Sequence, residues 1–280
     1  MAELLKGKPV ADAIVAIARA RADALVRRGV VPTLGLVRVG EDPGDLAYER
    51  TILKRAEAAG VGVSVHALSA DVSQEQLQAV ISQINDDPLV HGCLMFRPLP
   101  KGMDEAAACE AIAPEKDVDG VTRASLASVL TGEGDGFAPS TAEACVRLLD
   151  FYGIRLEGAR VAIVGRSLVV GKPLALMLTA RDATVTLCHS RTRDLAAVCR
   201  EADIVVCATG CARMFGRDCF REGQTVLDVG INFDDDGAMC GDVDAAAIET
   251  LDCALTPVPG GIGSITTAAT LAHVVTAAER

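Results

Sequence analysis

Short runs of branched apolar residues alternate along the chain with longer segments in which apolar residues recur at helical spacing. The runs predict buried strands over 33–39, 63–68, 91–96, 161–164, 184–188, 204–208 and 225–229. The segments between them predict helices over 9–28, 45–59, 73–84, 122–130, 141–152 and 266–279. Strands separated by helices of this length indicate right-handed βαβ crossovers, so we expect an α/β fold with parallel sheets.

A glycine-rich segment interrupts this alternation. Three glycines fall within residues 131–136, which leaves the backbone weakly constrained and makes this stretch the best candidate for a hinge. A chain of 280 residues is long for a single core. We therefore expect two domains, 1–136 and 137–265, with the last helix, in 266–280, packing back on the first domain.

The second domain opens with a strand that runs into Gly165, Arg166 and Ser167, ahead of a helix that starts near Gly171. A turn between a strand and a helix N-terminus predicts an anion site, because unpaired backbone N–H groups point outward there. Ser167 occupies the place of the second glycine in the dinucleotide-binding pattern Gly-x-Gly-x-x-Gly, so the loop alone is also compatible with an ordinary strand-turn-helix.

The next strand ends in a polar cluster, which changes this interpretation. An NAD site generally has an acidic residue about 20 residues after the glycine loop, where it holds the ribose 2′-hydroxyl. Here that place holds Ser190 and Arg191, and Arg166 is a second cation in the loop. Arginine and serine would hydrogen-bond a 2′-phosphate, which a carboxylate would repel. The sequence therefore predicts a Rossmann-like domain that binds NADP.

The composition limits the classes of binding partner and the cellular compartment that we expect for this protein. Acidic residues outnumber basic ones, 38 to 27, and the resulting net charge of −11 disfavours nucleic acid and anionic membranes as partners. Residues 1–9 lack the apolar region of a signal peptide, and no apolar run approaches membrane-spanning length, so we expect neither a signal peptide nor a membrane span. The ten cysteines show no Cys-x-x-Cys spacing and the four histidines are scattered, so we expect free thiols, a cytoplasmic location and no metal.

Eight segments of the chain are highly specific in combination, although several of them alone could be helix caps, strand ends, solvated turns or loops. They are VGEDPGDLAY (39–48), HGCLMFRPLP (91–100), PEKDVDG (114–120), VGRSLVVGKPLALML (164–178), CHSRT (188–192), VLDVGIN (226–232), GDVD (241–244) and TPVPGGIG (256–263). In this order they resemble the tetrahydrofolate dehydrogenase/cyclohydrolase family, the bifunctional FolD enzymes. The resemblance implies a two-domain α/β enzyme, usually a homodimer, that oxidises 5,10-methylenetetrahydrofolate with NADP and then hydrolyses the methenyl product to 10-formyltetrahydrofolate.

The resemblance also implies where the cofactor lies. The family's cofactor contacts fall on Gly165, Arg166, Ser167, Ser190 and the backbone of Ile231. This set agrees with the 2′-phosphate argument made from the residues alone.

The family's folate pocket falls on five positions. The ring of Tyr48 would stack on the pterin, and the carboxylate of Asp119 would pair with the donor edge of the pterin. The resemblance makes these two residues catalytic as well as substrate-binding. Pro259, Gly260 and Gly261 complete the pocket, since glycines let the backbone approach a flat ligand closely.

Two catalytic positions depart from the family's pattern. The family's lysine, four residues after the tyrosine, is Ile52 here, and its glutamine, two residues before Pro-Leu-Pro, is Phe96. Hydride transfer depends mainly on positioning, whereas adding water to the methenyl carbon needs a group that orients and deprotonates the water. We therefore expect a methylenetetrahydrofolate dehydrogenase with weak or absent cyclohydrolase activity.

Three alternatives stay open from the sequence. Glu49, Arg50 or Lys54 could restore the hydrolytic step after a shift in helix register, which would leave a fully bifunctional FolD enzyme. An NADP enzyme of the same architecture could act on another small molecule. The chain could also be a catalytically silent folate or nucleotide binder.

Overall fold

Helices and strands alternate through Ala2–Asp234 and Asp236–Arg280, the residues that the computed structural model describes. The helices are α1 (Gly7–Val26), α2 (Pro43–Ala59), α3 (Gln74–Asp86), α4 (Glu105–Glu110), α5 (Arg123–Thr131), α6 (Ser140–Phe151), α7 (Gly171–Thr179), α8 (Leu195–Glu201), α9 (Ala245–Ile248) and α10 (Gly263–Ala278). The strands are β1 (Glu3–Leu4), β2 (Thr33–Val39), β3 (Gly62–Leu68), β4 (Gly92–Met95), β5 (Arg160–Val164), β6 (Thr184–Cys188), β7 (Ile204–Cys207), β8 (Thr225–Asp228), β9 (Asn232–Phe233), β10 (Met239–Cys240) and β11 (Ala254–Leu255).

The chain forms two units. Unit 1 holds the stretch up to Ala11 together with Thr141–Thr266, and unit 2 holds Asp12–Ser140 and Thr267–Arg280. Both contain parallel sheets, so the predicted α/β fold is confirmed.

Unit 2 is built on a three-stranded parallel sheet in the order β3-β2-β4. The central strand β2 is buried at every position after its first, as its run of branched apolar residues predicts. Helix α10 lies against β4. The two elements are so close that a Cβ atom on Gly92 would stand 3.1 Å from Cγ2 of Val274. His273 of the same helix approaches the carbonyl oxygen of Val118 at 2.8 Å. The expected packing of the last helix on the first half of the chain is therefore confirmed.

Helix α2 is held at both ends and along its buried side. The Asp42 side chain caps the start by accepting the N–H of Gly44 at 2.8 Å, and Gly60 ends the helix with a left-handed φ of 71°. A buried ion pair joins the helix to β2, since Nε of Arg38 lies 2.8 Å from Oε2 of Glu49. These contacts fix the rotation of α2, and with it the direction of every side chain along it.

Unit 1 is built on a six-stranded parallel sheet in the order β1-β11-β8-β7-β5-β6. From β5 the chain crosses to β6 on one side and then returns to β7 on the other side. Strand β1 pairs with β11 at the sheet edge, which places the first residues of the chain in unit 1. The sequence pattern did not predict this strand, because two residues show no periodicity.

The glycine-rich segment at 131–136 is folded against α5. The N–H of Gly136 donates to Oγ of Ser128 at 3.3 Å, and a Cβ atom on Gly136 would stand 2.4 Å from Cα of Ser125. The proposed hinge at this segment stays a prediction.

Nine of the ten cysteines are buried, and all ten are free thiols. Within the two described ranges, we find no helix whose length and apolar character would let it span a bilayer.

A buried carboxylate shapes the turn that leads into α5. Asp117 is fully buried and accepts the N–H groups of Val121 at 3.0 Å and Thr122 at 2.8 Å. It also accepts the hydroxyl of Ser125 at 2.6 Å. Because both carboxylate oxygens are used, this turn depends on an acceptor at position 117.

We expect Asp117→Asn to lower the free energy of unfolding by about 3 kcal/mol. The side-chain NH₂ group of asparagine would face a buried backbone N–H group, and two donors cannot form a hydrogen bond with each other. Urea denaturation followed by circular dichroism measures the change. The control is Asp23→Asn, which removes an exposed pair with Arg19 and should cost less than about 1 kcal/mol. Equal costs for the two variants would contradict the role given to Asp117.

Candidate functional site

Four loops leave the sheet of unit 1 at the carboxyl ends of neighbouring strands. Val164 at the end of β5 is paired with both Cys188 and Cys207, and Cys207 is paired with Asp228. The loops after β5, β6, β7 and β8 therefore emerge side by side. Open α/β sheets bind ligands at such an edge, where the strand order reverses. The structure brings to this edge all the expected cofactor residues, Gly165, Arg166, Ser167, Ser190, Arg191 and Ile231.

Gly165 is required by the approach of two loops. Its φ is 130°, and a Cβ atom there would stand 2.1 Å from the carbonyl oxygen of Ala208 in the loop after β7. The side chains of Arg166 and Ser167, which follow it, are exposed at the edge.

The start of α7 does not have all the unpaired backbone N–H groups that the sequence predicts there. Ser167 satisfies two N–H groups of the loop, since its Oγ accepts from Val170 and its carbonyl oxygen from Lys172, both at 3.1 Å. Pro173 has no N–H to offer. Side chains at this edge, more than the helix N-terminus, are therefore available to bind an anion.

The turn after β6 presents Ser190 and Arg191 to solvent. Oγ1 of Thr192 accepts the N–H of His189 at 2.9 Å, and Nδ1 of His189 accepts the N–H of Arg191 at 3.1 Å. Asp194, the acidic residue of this loop, is used to cap α8. The carboxylate of Asp194 is exposed but bonded to the start of α8, and the exposed Ser190 and Arg191 are a hydroxyl and a cation, a donor set that fits the 2′-phosphate of NADP.

A buried carboxylate, which sequence analysis did not single out, orders the loop after β7. Asp242 is fully buried and accepts the N–H groups of Thr209, Gly210 and Cys211 at 2.5, 3.1 and 3.0 Å. It also accepts from the side-chain amide of Asn232 at 3.0 Å.

Asp228 has the same role at the end of β8. It accepts the N–H groups of Gly230, Asp242 and Val243 at 3.1, 2.9 and 2.9 Å, which orders the loop that presents the exposed Ile231. Burial raises the pKa of Asp228 to about 6, against the lowering effect of these N–H donors. Both aspartates stand beside glycines in VLDVGIN and GDVD, which is the signal that could have identified them.

Unit 2 holds the two residues expected to bind and act on the substrate. Tyr48 on α2 is 37% exposed, and its ring lies 5.3 Å from the ring of Phe96, at 37° to it. Its hydroxyl is hydrogen-bonded to Thr267 of α10. The pKa of Tyr48 is raised, mainly by burial and also by the charge of Asp119, so the structure brings these two side chains near each other.

Asp119 lies in a turn whose backbone demands glycine at the next position. Gly120 has a φ of 67°, and a Cβ atom there would stand 2.5 Å from the backbone nitrogen of Pro139. Oδ2 of Asp119 accepts from Nη2 of Arg97 at 3.1 Å. Burial raises the pKa of Asp119, while Arg97 and Ser140 lower it. The motif HGCLMFRPLP contains Arg97, but sequence analysis gave it no role.

The two positions that depart from the family's pattern are both apolar and buried. Ile52 has no exposed surface, and Phe96 is 5% exposed. Helix α2 runs unbroken from its Asp42 cap to Gly60, so no shift in register brings Lys54 to the side of Ile52.

The expected substrate residues Pro259, Gly260 and Gly261 lie in unit 1, ahead of α10. The Gly260 carbonyl oxygen accepts the N–H of Gly7 at 2.8 Å, and a Cβ atom on Gly261 would stand 2.5 Å from the Pro257 carbonyl oxygen. These contacts give the two glycines a packing role, and their role toward a folate stays a prediction. In the described part of the chain, no group of three or more His, Cys, Asp or Glu side chains is placed to hold a metal ion.

Comparisons with known proteins agree with this arrangement. The tetrahydrofolate dehydrogenase/cyclohydrolase catalytic domain matches residues 5–119, and the NAD(P)-binding domain of the same family matches residues 139–280. The bifunctional protein FolD of Carboxydothermus hydrogenoformans is 47% identical over 281 residues, which cover 100% of this chain and 98% of that protein.

Solved structures give the same result. The bifunctional FolD of Campylobacter jejuni superposes with a TM-score of 0.96 at 35% identity, covering 100% of this chain and 99% of that one. The FolD of Trypanosoma brucei, complexed with NADP cofactor and inhibitor, gives a TM-score of 0.93 at 32% identity and covers 100% and 98%. The chain therefore belongs to the tetrahydrofolate dehydrogenase/cyclohydrolase family.

Proposed function

We propose that this protein oxidises 5,10-methylenetetrahydrofolate to the methenyl form with NADP, and that it has weak or absent methenyltetrahydrofolate cyclohydrolase activity. The observation that carries the proposal is the pair of buried apolar side chains, Ile52 and Phe96, at the family's lysine and glutamine positions. The exposed cations and hydroxyls at the sheet edge of unit 1 support NADP as the hydride acceptor.

The substrate roles fall on Tyr48 and Asp119. The part-exposed ring of Tyr48 offers a flat surface for stacking a pterin, and its packing on Phe96 fixes the ring plane. The carboxylate of Asp119 accepts N–H donors of the pterin edge in our proposal. NADP supplies the hydride acceptor, so these residues need only hold the methylene carbon in place and keep the site dry.

The polar side chains close to Ile52 along α2 do not supply a suitable base for the hydrolytic step. Glu49 is held in the buried pair with Arg38, and Arg50 and Lys54 are exposed. Arg55 lies on the same helical face as Tyr48, and its charge lowers the pKa of that tyrosine. A guanidinium stays protonated in proteins, so Arg55 cannot deprotonate a water molecule.

We further propose the organisation around this activity. Residues 1–136 with 266–280 form the folate-binding part and 137–265 the NADP-binding part, with Pro259, Gly260 and Gly261 contributing to the folate pocket. The active form is a homodimer, by analogy with the family. The ten free thiols favour a reducing compartment, and we place the protein in the cytoplasm.

A two-step assay tests the proposed activity. Purified protein is mixed with methylenetetrahydrofolate and NADP, and NADPH and methenyltetrahydrofolate are followed separately. We expect methenyltetrahydrofolate to accumulate in step with NADPH, because loss of acid-base assistance slows hydrolysis by about 10²- to 10⁴-fold. Methenyltetrahydrofolate supplied directly should then disappear no faster than in buffer.

The double variant Ile52→Lys/Phe96→Gln is the matched comparison for this assay. This variant has the family's lysine and glutamine at positions 52 and 96. Once a melting curve shows that it is folded, it should hydrolyse methenyltetrahydrofolate faster than buffer does. Catalysed hydrolysis by the unmodified protein would contradict the loss of the second activity. Absence of NADPH would contradict the dehydrogenase itself.

Selectivity for NADP provides a second prediction. Arg191→Gln should raise KM for NADP by about 10- to 100-fold, the value of one charge-assisted hydrogen bond, and change KM for NAD by less than about twofold. Steady-state kinetics with each cofactor measures both constants. The control is Arg193→Gln, an exposed arginine two residues further along the same loop. Equal losses with NADP and NAD would rule out a 2′-phosphate contact at Arg191.

A further inference from the structure

An ion pair joins Asp119 to the residue that follows Phe96. Nη2 of Arg97 lies 3.1 Å from Oδ2 of Asp119, and the two side chains are only 23% and 21% exposed. A pair that is this far removed from water is held more tightly than a surface pair, since solvent screens it less. Arg97 is the second residue after the end of β4, so the rigid strand fixes the position of its backbone.

Ser140 is a second group that acts on Asp119. Its buried hydroxyl lies 2.9 Å from Oγ1 of Thr270 on α10, and it lowers the pKa of Asp119. An ionised carboxylate has about four acceptor sites on its two oxygens. Arg97 occupies part of this capacity, and the rest is available for donors from a ligand.

We propose that Arg97 is a positioning residue, which holds the Asp119 carboxylate ionised and in the orientation that accepts the N–H donors of a pterin. This inference rests on the proposed function, because it assigns Arg97 a role in binding that substrate. Arg97 acts through Asp119 and is not itself a catalytic residue.

The charge balance around Asp119 explains why a cation is needed there. The titratable groups that interact electrostatically with Asp119 are Arg97 after β4, Asp117 in the same turn, Tyr48 on α2 and Cys109 on α4. Burial and Asp117 raise the pKa of Asp119, and Arg97 is the strongest influence that lowers it. Without Arg97 the pKa of Asp119 rises further, and a protonated carboxyl offers an O–H where the pterin also offers N–H donors.

The test compares Arg97→Leu, Arg97→Lys and the unmodified protein in steady-state kinetics. We expect Arg97→Leu to raise KM for methylenetetrahydrofolate by about tenfold or more, with KM for NADP changed less than about twofold. The acid limb of kcat/KM should move to higher pH, because a raised pKa of Asp119 requires a higher pH for ionisation. Arg97→Lys keeps the charge and should recover part of both losses. Arg123→Leu, an 85% exposed arginine of unit 2, is the control.

A double-mutant comparison separates positioning from a general structural effect. In the Asp119→Asn background, Arg97→Leu should change KM for the folate by less than about twofold, because the group it acts on is already neutral. A full additional loss in that background would overturn the proposal, as would an unchanged KM and pH profile in Arg97→Leu. If Arg97→Leu does not fold, Arg97→Lys is compared in the same two backgrounds. It should raise KM for the folate in the protein that has Asp119 and leave that KM unchanged in the Asp119→Asn variant. A protein that forms no NADPH would instead contradict the proposed function, and with it the role of Arg97.

Discussion

Buried backbone N–H groups in the loops impose the constraint on which both units depend. A loop at the end of a parallel strand has N–H donors that no strand or helix pairs, and leaving them unpaired inside the protein costs free energy. Three buried aspartates accept them, Asp117 in unit 2 and Asp228 and Asp242 in unit 1. Each gives its carboxylate entirely to its own chain, so these residues shape the site without taking part in its chemistry.

Asp119 differs from Asp117, its neighbour in the same motif, in the kind of donor it meets. Asp117 accepts two backbone N–H groups that cannot move away, in addition to the Ser125 hydroxyl, whereas the donor to Asp119 is the side chain of Arg97. A side-chain donor can adjust to a ligand, because rotation about a few side-chain torsion angles changes its hydrogen-bond partner. A carboxylate that is held by such donors is both fixed in place and able to accept a new partner.

The sequence pattern predicted most of this architecture, but not the contacts between side chains that are distant in the sequence. The run at 33–39 predicts a strand at its observed bounds, because a short run rich in branched apolar residues is typical of a buried parallel strand. Strands of two residues, such as β1 and β11, have no period to detect. Arg97 was missed for a different reason: nothing in a linear sequence relates it to Asp119, which lies 22 positions away and reaches it only through the fold.

The apolar positions beside Tyr48 affect the family's two reaction steps in opposite ways. Hydride transfer moves no proton and gains from a dry, rigid site, which the buried Ile52 and the Phe96 ring packed on Tyr48 favour. Hydrolysis consumes a water molecule, which needs polar partners to enter and a base to deprotonate it. An isoleucine and a phenylalanine supply neither, and the charges of Arg97 and Asp119 neutralise each other. The same packing that favours the oxidation therefore works against the step that needs water.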